Sequence, residues 1–178
     1  GWELDGGIFR LDPTEAGGAG NAIAAKCDLT IRSNDRNTMM VRFLPDMLYM
    51  DMSDAPAAAF FPQGSNYNGM PVFPKMFPGD YILHMLVPWL HPGAEGLRVV
   101  DSRMLDDVAE VYRQGSRAMA PMSTMDYAAA LVVLEYSDAG TMYREMVVSV
   151  VVDYGSMGAG LWGNRDTFLF RAPASDCE

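Results

Sequence analysis

The alternation of apolar and polar positions is clearest in the last third of the chain, where it predicts a meander of three antiparallel strands. Two apolar runs, residues 127–136 and 142–154, are joined by a four-residue turn at 137–140, and residues 167–171 alternate as a third strand. The segment 147–152 is a nearly continuous apolar run, which is typical of a strand covered on both faces. We therefore expect 142–154 to be the central strand of a sheet.

The first third of the chain predicts further strands ahead of this meander. A strand is expected over residues 22–33, and a turn-rich cluster at 33–37 follows it. The next apolar stretch is interrupted by Pro45-Asp46, so it predicts two strands, 38–44 and 47–52. The turn-rich cluster would then be the short polar loop of a hairpin.

Residues 80–90 predict the first helix. Its apolar positions recur at helical spacing on one face: Ile82, Met85, Leu86, Trp89 and Leu90. Asp80 is the expected N-cap. Pro88 would remove a hydrogen bond in the helix interior at a cost of about 3 kcal/mol. We therefore expect a kink at Pro88, or an end to the helix near Val87.

Residues 106–119 predict the second helix. Asp106 and Asp107 occupy its first turn and Arg117 its last, and both placements match the helix dipole. Pro121 prevents the helix from continuing. The expected apolar stripe consists of Leu105, Val108, Ala109, Tyr112 and Met119.

Together these elements, with a short strand expected at 97–101, predict the α+β class. We expect an antiparallel sheet of about six to seven strands with two helices packed on it. The length of 178 residues fits one domain spanning residues 1–178. The chain begins with Gly1 rather than Met, which favours a domain excised from a longer protein.

The charge of the chain excludes several classes of partner. The net charge is −10, and the 13 Lys and Arg residues are scattered without forming a run. Because phosphate backbones and anionic lipid surfaces need clustered positive charge, neither nucleic acid nor such a membrane is an expected partner. No apolar run reaches the roughly 18 residues of a membrane helix, so we expect no membrane insertion within this segment.

The two cysteines, Cys27 and Cys177, lie in an apolar strand-like run and next to the last residue, respectively. No CxxC spacing occurs, which excludes zinc ribbons and thioredoxin chemistry within this segment. A Cys27–Cys177 disulfide is one alternative, but a buried thiol at Cys27 and a frayed one at Cys177 are favoured. Cysteine usage therefore does not fix the compartment.

The two histidines are the candidate general bases. His84 and His91 are seven residues apart, which is not a metal-ligand spacing such as HExxH. No GxSxG nucleophile motif occurs. A surface or loop role is favoured for both imidazoles, and a hydrolase using His84 or His91 with a nearby Asp or Ser is the alternative.

Two other patterns suggest ligands but have simpler interpretations. The glycines at 155–160 lead towards a strand, whereas a dinucleotide fingerprint leads into a helix, so a hairpin connection is favoured. The methionine-rich stretch 39–52 would offer thioethers to Cu(I), but methionines on predicted strands favour packing. We predict no catalytic residue, metal or cofactor.

Aromatic residues in or beside loops are the remaining candidates for a binding surface. A polar loop at 64–70 carries an Asn-Gly turn signal, and Trp and Tyr are common interface anchors. We predict that a protein or small-molecule partner contacts Tyr67, Asn68, Trp89 and Trp162.

The order of the predicted elements resembles a known family. The helix at 81–90, the helix at 106–119 and the hairpin formed by 127–136 and 142–154 follow the element order of the PsbP-like fold. That fold is shared by photosystem II extrinsic subunits, a Ran-binding import factor and many bacterial proteins. The resemblance implies a binding or accessory module without catalysis, and no functional residue of that family can be carried over because no motif matches.

Three functions are therefore compared. The first is a non-enzymatic binding or accessory domain of a bacterial protein, favoured by the absence of convergent polar chemistry in the sequence. The second is the hydrolase using His84 or His91. The third is a structural domain that mediates oligomer formation.

Overall fold

The computed structural model describes residues 1–33, 38–121, 125–156 and 160–177. Its strands, in chain order, are β1 (Trp2–Phe9), β2 (Lys26–Ser33), β3 (Met40–Asp51), β4 (Asn66–Tyr67), β5 (Met70–Pro71), β6 (Glu95–Met104), β7 (Asp126–Asp138), β8 (Thr141–Ser156) and β9 (Leu161–Pro173). Three successive helical segments, Pro78–Tyr81, Ile82–Leu86 and Val87–Leu90, form one helix, α1, and Asp106–Met119 is α2.

Seven strands form one antiparallel sheet in the order β1-β2-β3-β9-β8-β7-β6, and β4 and β5 form a separate small hairpin. Helices α1 and α2 pack on opposite faces of the sheet, because β7 directs Val132 towards α1 and Ala129, three residues earlier, towards α2. We call these the α1 face and the α2 face. The predicted α+β class, with a seven-stranded antiparallel sheet and two helices, is confirmed.

The prediction of two strands around Pro45 and Asp46 was wrong, because the whole segment is the single strand β3. Its pairing with β9 shifts register between Leu44 and Met47, which is a β-bulge. Proline has no N–H to donate to the ladder, so a bulge lets the strand continue past it. Strand β1 was not predicted as such, since Gly6 and Gly7 interrupt its alternation.

Helix α1 passes Pro88 and continues to Leu90, so of the two alternatives expected at Pro88, a kink or an end near Val87, the second was wrong. The segment before Pro88 is a π-helical turn, in which the Val87 N–H donates to the Ile82 carbonyl five residues earlier. A wider turn at this point accommodates the missing N–H and the bulk of the proline ring. The helix begins at Pro78 with Phe77 as its N-cap, so the prediction of Asp80 as N-cap was wrong.

Helix α2 has the predicted bounds, but one member of its predicted stripe does not pack. Ala109 is buried against Ala129 and Val150 of the sheet, whereas Met119 is exposed. Met119 is the last residue of the helix and lies ten residues after Ala109, which packs on the sheet.

Strand β8 lies between β9 and β7, but the middle strand of the seven is β9 rather than β8. Only the second half of β8 is covered on both faces, at residues 149–152. In the first half, Met142 and Met146 are exposed on the α2 face, because α2 covers the part of that face around Val150.

Two predicted connections involve residues outside those described. The turn-rich residues 34–37 are among these, and the strands on either side, β2 and β3, pair antiparallel. Residues 157–159 are outside the described part as well. The strands on either side of them, β8 and β9, pair antiparallel.

Both cysteines are free thiols. Cys27 is exposed, so the prediction that its thiol is buried was wrong, and Cys177 is half-buried. Cys27 lies opposite Ile8 of the edge strand β1, on the part of the α2 face that α2 does not reach.

Candidate functional site

A groove of about 600 Å³ lies on the α1 face, between α1 and the edge of the sheet formed by β1 and β2. We call it the α1 groove. Met85 and Trp89 of α1 form one wall, Phe9 of β1 lies on the opposite side, and Leu44 and Met47 of β3 belong to the floor. The surface of the groove is predominantly apolar. Its volume is within the range of about 300–1,000 Å³ that is typical of small-molecule sites.

Arg165 of β9 also lines this groove and is the largest fully buried side chain of the described residues, at 1% exposure. Its Nη2 donates a hydrogen bond of 2.7 Å to the Met76 carbonyl. Its Nε and Nη1 atoms have no hydrogen-bond partner in the structure. Burial lowers the pKa of Arg165 from its usual value.

Aromatic rings take the place of a counter-ion around this guanidinium. Its central carbon lies 4.4 Å from the ring centroid of Tyr81 and 5.1 Å from that of Tyr49, and Tyr49 stacks on Phe73. Such cation–π contacts contribute about 2 kcal/mol when they are desolvated. No carboxylate lies within ion-pair distance of Arg165 among the described residues.

A second buried cation, Lys26, lies at the β2 side of the groove and is fully partnered. Its Nζ donates to the Asp46 carboxylate at 2.8 Å, to the Asp46 carbonyl at 2.9 Å and to Asn21 Oδ1 at 3.1 Å. Asn21 in turn accepts from the Leu48 N–H and donates to the carbonyls of Leu48 and Gly69. This network ties Asp46, in the β3 bulge, and Leu48, just after it, to Lys26 and Asn21, and Asp46 neutralises the charge of Lys26.

Of the four residues predicted to contact a partner, Trp89 is the one that lines the α1 groove. Its side chain is 68% exposed although it continues the apolar stripe of α1. Ile82 and Leu86 of the same stripe are buried in the core. Trp89 therefore lies at the rim of the groove, with apolar surface available to a ligand.

The other three predicted residues lie elsewhere in the fold. Tyr67 and Trp162 both pack against a buried cluster of Met50, Met52, Met70 and Val72. The methionines of this cluster are buried core residues, as the packing interpretation predicts. Asn68 has a positive φ of 50° and accepts hydrogen bonds from the Ala19 and Gly20 N–H groups. Asn68 thus positions the segment that leads to Asn21.

The histidines have different surroundings. His84 is exposed on α1, whereas His91, just after α1, is 11% exposed and its Nε2 lies 2.8 Å from Glu145 Oε1. Glu145 is completely buried, and its Oε2 accepts a hydrogen bond of 2.9 Å from the Tyr136 hydroxyl. The carboxylate thus has a partner on each oxygen. Burial raises the pKa of Tyr136, and the charge of Glu145 raises it further.

Sequence reasoning missed Arg165, Asn21 and Glu145. Glu145 is a charged residue on a predicted strand, and its alternation with apolar neighbours is also what a solvent-exposed face produces. Arg165 lies two residues before the predicted strand 167–171, so it was not assigned to a strand. The local pattern does contain a signal for Arg165. Residues 165, 167 and 169 alternate onto one face of the strand, so Arg165 and Thr167 share a face with the buried Leu169.

No protein-family model, curated protein or solved structure matches this chain. The resemblance to the PsbP-like fold therefore stays a prediction. No group of three or more His, Cys, Asp or Glu side chains that could hold a metal ion occurs in the described part of the chain. Within the same part, no helix has the length and apolar character needed to cross a membrane.

Proposed function

We propose that this chain is a non-enzymatic binding domain, and that the α1 groove binds a small molecule with an apolar body and a single carboxylate group. The observation that carries the proposal is the combination of an apolar groove with a buried arginine that has no counter-ion and two unpartnered nitrogens. Small-molecule sites typically combine a mostly apolar lining with a few polar groups that fix orientation.

The apolar body of the ligand would lie along Leu44, Met47 and Met85, with Trp89 closing over it from the rim. Methionine side chains are flexible and adapt to ligands of varied shape. The volume and the lining favour an aliphatic or aromatic body over a sugar or a nucleotide, which would need many more polar partners.

Arg165 would bind the carboxylate. A planar guanidinium pairs with a carboxylate through two parallel hydrogen bonds, and such charge-assisted bonds are strong in a medium of low dielectric. Met47 and Met85 line the groove and also pack against the Tyr49–Phe73 pair beside the guanidinium. Movement of these two flexible side chains would open the path from the groove to Nε and Nη1.

The test is a titration of the purified chain with a dansyl-labelled medium-chain fatty acid, compared with the primary amide of the same molecule. We expect saturable binding of the acid and binding of the amide weaker by about tenfold to a hundredfold, because a charge-assisted pair contributes about 1.5–3 kcal/mol. Arg165→Met should reduce the affinity for the acid to that for the amide. Equal affinity of the wild-type chain for acid and amide would refute the role of Arg165.

The wall of the groove needs a separate variant. Trp89→Ala should lower the affinity for the acid and for the amide equally, since it removes apolar contact with the body of the ligand and leaves the contact of its head group with Arg165 unchanged. Phe60→Ala is a matched control, because Phe60 is an exposed aromatic residue that does not line the α1 groove. No binding of either probe at their solubility limits would refute the groove as a small-molecule site.

The hydrolase alternative has one observation in its favour, the contact between His91 and Glu145. The burial of Glu145 and the Tyr136 hydroxyl on its second oxygen support a structural role for this contact instead. A general base has to reach a substrate proton, directly or through one water. If His91→Gln abolished a measured esterase activity while the fold was retained, the hydrolase would be favoured over the binding domain.

A further inference from the structure

The α2 face carries two continuous rows of apolar residues that run across six strands. The strand register aligns the first row as Leu4, Ile31, Val41, Phe170, Met146 and Val133. The second row is Gly6, Leu29, Phe43, Phe168, Val148 and Leu131. Neither row contains a charged or polar side chain. We call these two rows the open apolar face.

Helix α2 does not cover the part of this surface formed by β1, β2 and β3, whereas Leu131 and Val133 at the β7 end of the rows are buried. It packs on Ala129 and Val150, farther along β7 and β8. Leu4 is 63% exposed and Met146 is 40% exposed, while Ile31, Phe43, Phe168 and Phe170 are only half-buried. A one-sided apolar sheet normally packs its apolar face against a second layer. In the described part of the chain, no second layer covers the end of the face that is formed by β1, β2 and β3.

The exposed area is large enough for a stable interface. With Trp2 and Ile8, which flank the rows on the same side of β1, the exposed apolar surface is on the order of 700 Å², from side chains of about 150–250 Å² each. A specific protein interface of standard size takes about 800 Å² from each partner. The phenylalanines Phe43 and Phe168, in edge-to-face contact at 5.2 Å, lie in this surface as an aromatic centre.

The distribution of charge on the sheet indicates which partner covers the open apolar face. Strands β1 and β2 place their acidic residues Glu3, Asp5 and Asp28 on the α1 face, opposite to the apolar rows. Two copies of the chain that met through the open apolar face would therefore keep these acidic residues pointing away from each other, and the ion pair of Glu135 and Arg144, which borders the first row on the same face, would lie at the rim of the interface. A membrane surface fits less well, since the chain has a net charge of −10 and no basic cluster to bind anionic lipid.

We propose that a second copy of this chain packs its own open apolar face against the first, and that the two sheets form a two-layer sandwich with twofold symmetry. Two apolar sheet faces pack about 10 Å apart with interdigitating side chains, as in β-sandwiches. The same patch serves both partners in such a twofold interface, which is the commonest arrangement of soluble oligomers. This proposal is independent of the α1 groove, because the groove lies on the other face of the sheet.

Sedimentation equilibrium and multi-angle light scattering test the proposal directly. At about 100 µM, well above the micromolar or tighter Kd expected for such an interface, the wild-type chain should have twice its mass of 19.5 kDa. The double variant Leu4→Glu, Met146→Glu should be a monomer, because it would bury four charges in the dimer. Ile23→Glu is the matched control, since Ile23 is an equally exposed apolar residue outside the two rows and should leave the dimer intact.

A second measurement covers the case in which the double variant fails to fold. Cys27 lies beside the open apolar face, so dimerisation should slow its reaction with a maleimide as the concentration of wild-type protein rises. The measurement uses Cys177→Ser, so that the signal reports Cys27 alone, because Cys177 lies beside Arg144 on the same face. A wild-type monomer at about 100 µM, a folded double variant that is still dimeric, or a Cys27 reactivity that is independent of concentration would each overturn the proposal. Binding of the monomer to lipid vesicles or to another protein would overturn it as well.

Discussion

The imidazole of His91 and the carboxylate of Glu145 join the end of α1 to the interior of β8, with Nε2 2.8 Å from Oε1. The two residues are 54 positions apart in the sequence, and their contact spans the two layers of the fold. Because Glu145 is fully buried and also accepts from Tyr136, this contact satisfies a group that would otherwise be costly to bury. It therefore fixes where α1, and with it one wall of the groove, lies on the sheet.

Loss of this contact should destabilise the fold. His91→Ala leaves Glu145 Oε1 buried without a partner, and we expect the free energy of unfolding to fall by about 1–3 kcal/mol in urea denaturation. His84→Ala is the matched control, because His84 is exposed on the same helix and its loss should cost less than about 0.5 kcal/mol. Equal losses for the two variants would contradict the structural role of His91.

We expect the buried Arg165 to lower the stability of the fold. Arg165→Met keeps a long apolar stem in contact with Tyr49 and Tyr81 while it removes a buried charge and two unpartnered donors. Replacing a buried charge by an apolar side chain of similar size is often stabilising by about 1–4 kcal/mol, so we expect a gain near 1 kcal/mol after the lost cation–π contacts. Thermal denaturation should give a higher Tm for this variant than for the wild-type chain.

A smaller side chain at the same position separates charge from packing. Arg165→Ala removes the same charge but leaves a cavity among the aromatic rings, and a truncation of this size costs about 2–5 kcal/mol relative to Met. We therefore expect Arg165→Ala to be less stable than the wild-type chain. If Arg165→Met were destabilised as much as Arg165→Ala, the arginine would be structural, with no strain left for a ligand to relieve.

Glu135 should make stability depend on pH in the acid range. The Arg144 Nε donates to Oε1 at 2.9 Å and Arg98 binds Oε2, and together they hold the pKa of Glu135 below its usual value. Its stabilising effect is therefore complete above the unfolded pKa of about 4.3 and is lost as the pH falls through the lower folded pKa. Glu135→Gln should lower the urea midpoint near neutral pH, and the difference from wild type should shrink towards about pH 3.

The control for this prediction is Glu95→Gln. Glu95 is an exposed residue of the edge strand β6, and its replacement should leave the urea midpoint unchanged throughout the same pH range. A difference for Glu135→Gln that stays constant with pH would show that the effect comes from packing rather than from charge.

Asp166 should have the opposite effect on the pH dependence. Burial raises the pKa of Asp166, and the charge of Asp46 raises it further. A carboxyl group with a raised folded pKa imposes no penalty below its unfolded pKa, and the penalty develops as the pH rises through the folded pKa. Asp166→Asn should therefore raise the Tm near neutral pH and leave it unchanged at about pH 3.

The exposed Asp54 provides the comparison for this variant. Asp54→Asn removes one negative charge from the same chain without removing a buried carboxylate, so it reports the effect of net charge alone. A gain in Tm equal to that of Asp166→Asn would mean that net charge, rather than the burial of Asp166, sets the stability.

The sequence by itself determined the class of the fold and its local elements. Helix α2 and the hairpin of β7 and β8 follow from periodicity within one segment, because the apolar positions of a helix or a strand recur at a spacing fixed by backbone geometry. The proline pattern also located the two irregularities, at Pro45 and Pro88. It did not determine their form, since a bulge and a π-helical turn both depend on the elements that pack around them.

Only the tertiary structure decided the sites. The α1 groove brings Phe9, Leu44, Trp89 and Arg165 together from four elements, and the open apolar face aligns six strands in register. No local pattern encodes these contacts, because a given alternation is compatible with either face of the sheet and with any neighbouring strand. The choice is made when the whole chain buries its apolar surface, and it leaves one arginine without a counter-ion and half of one sheet face uncovered in the described part of the chain.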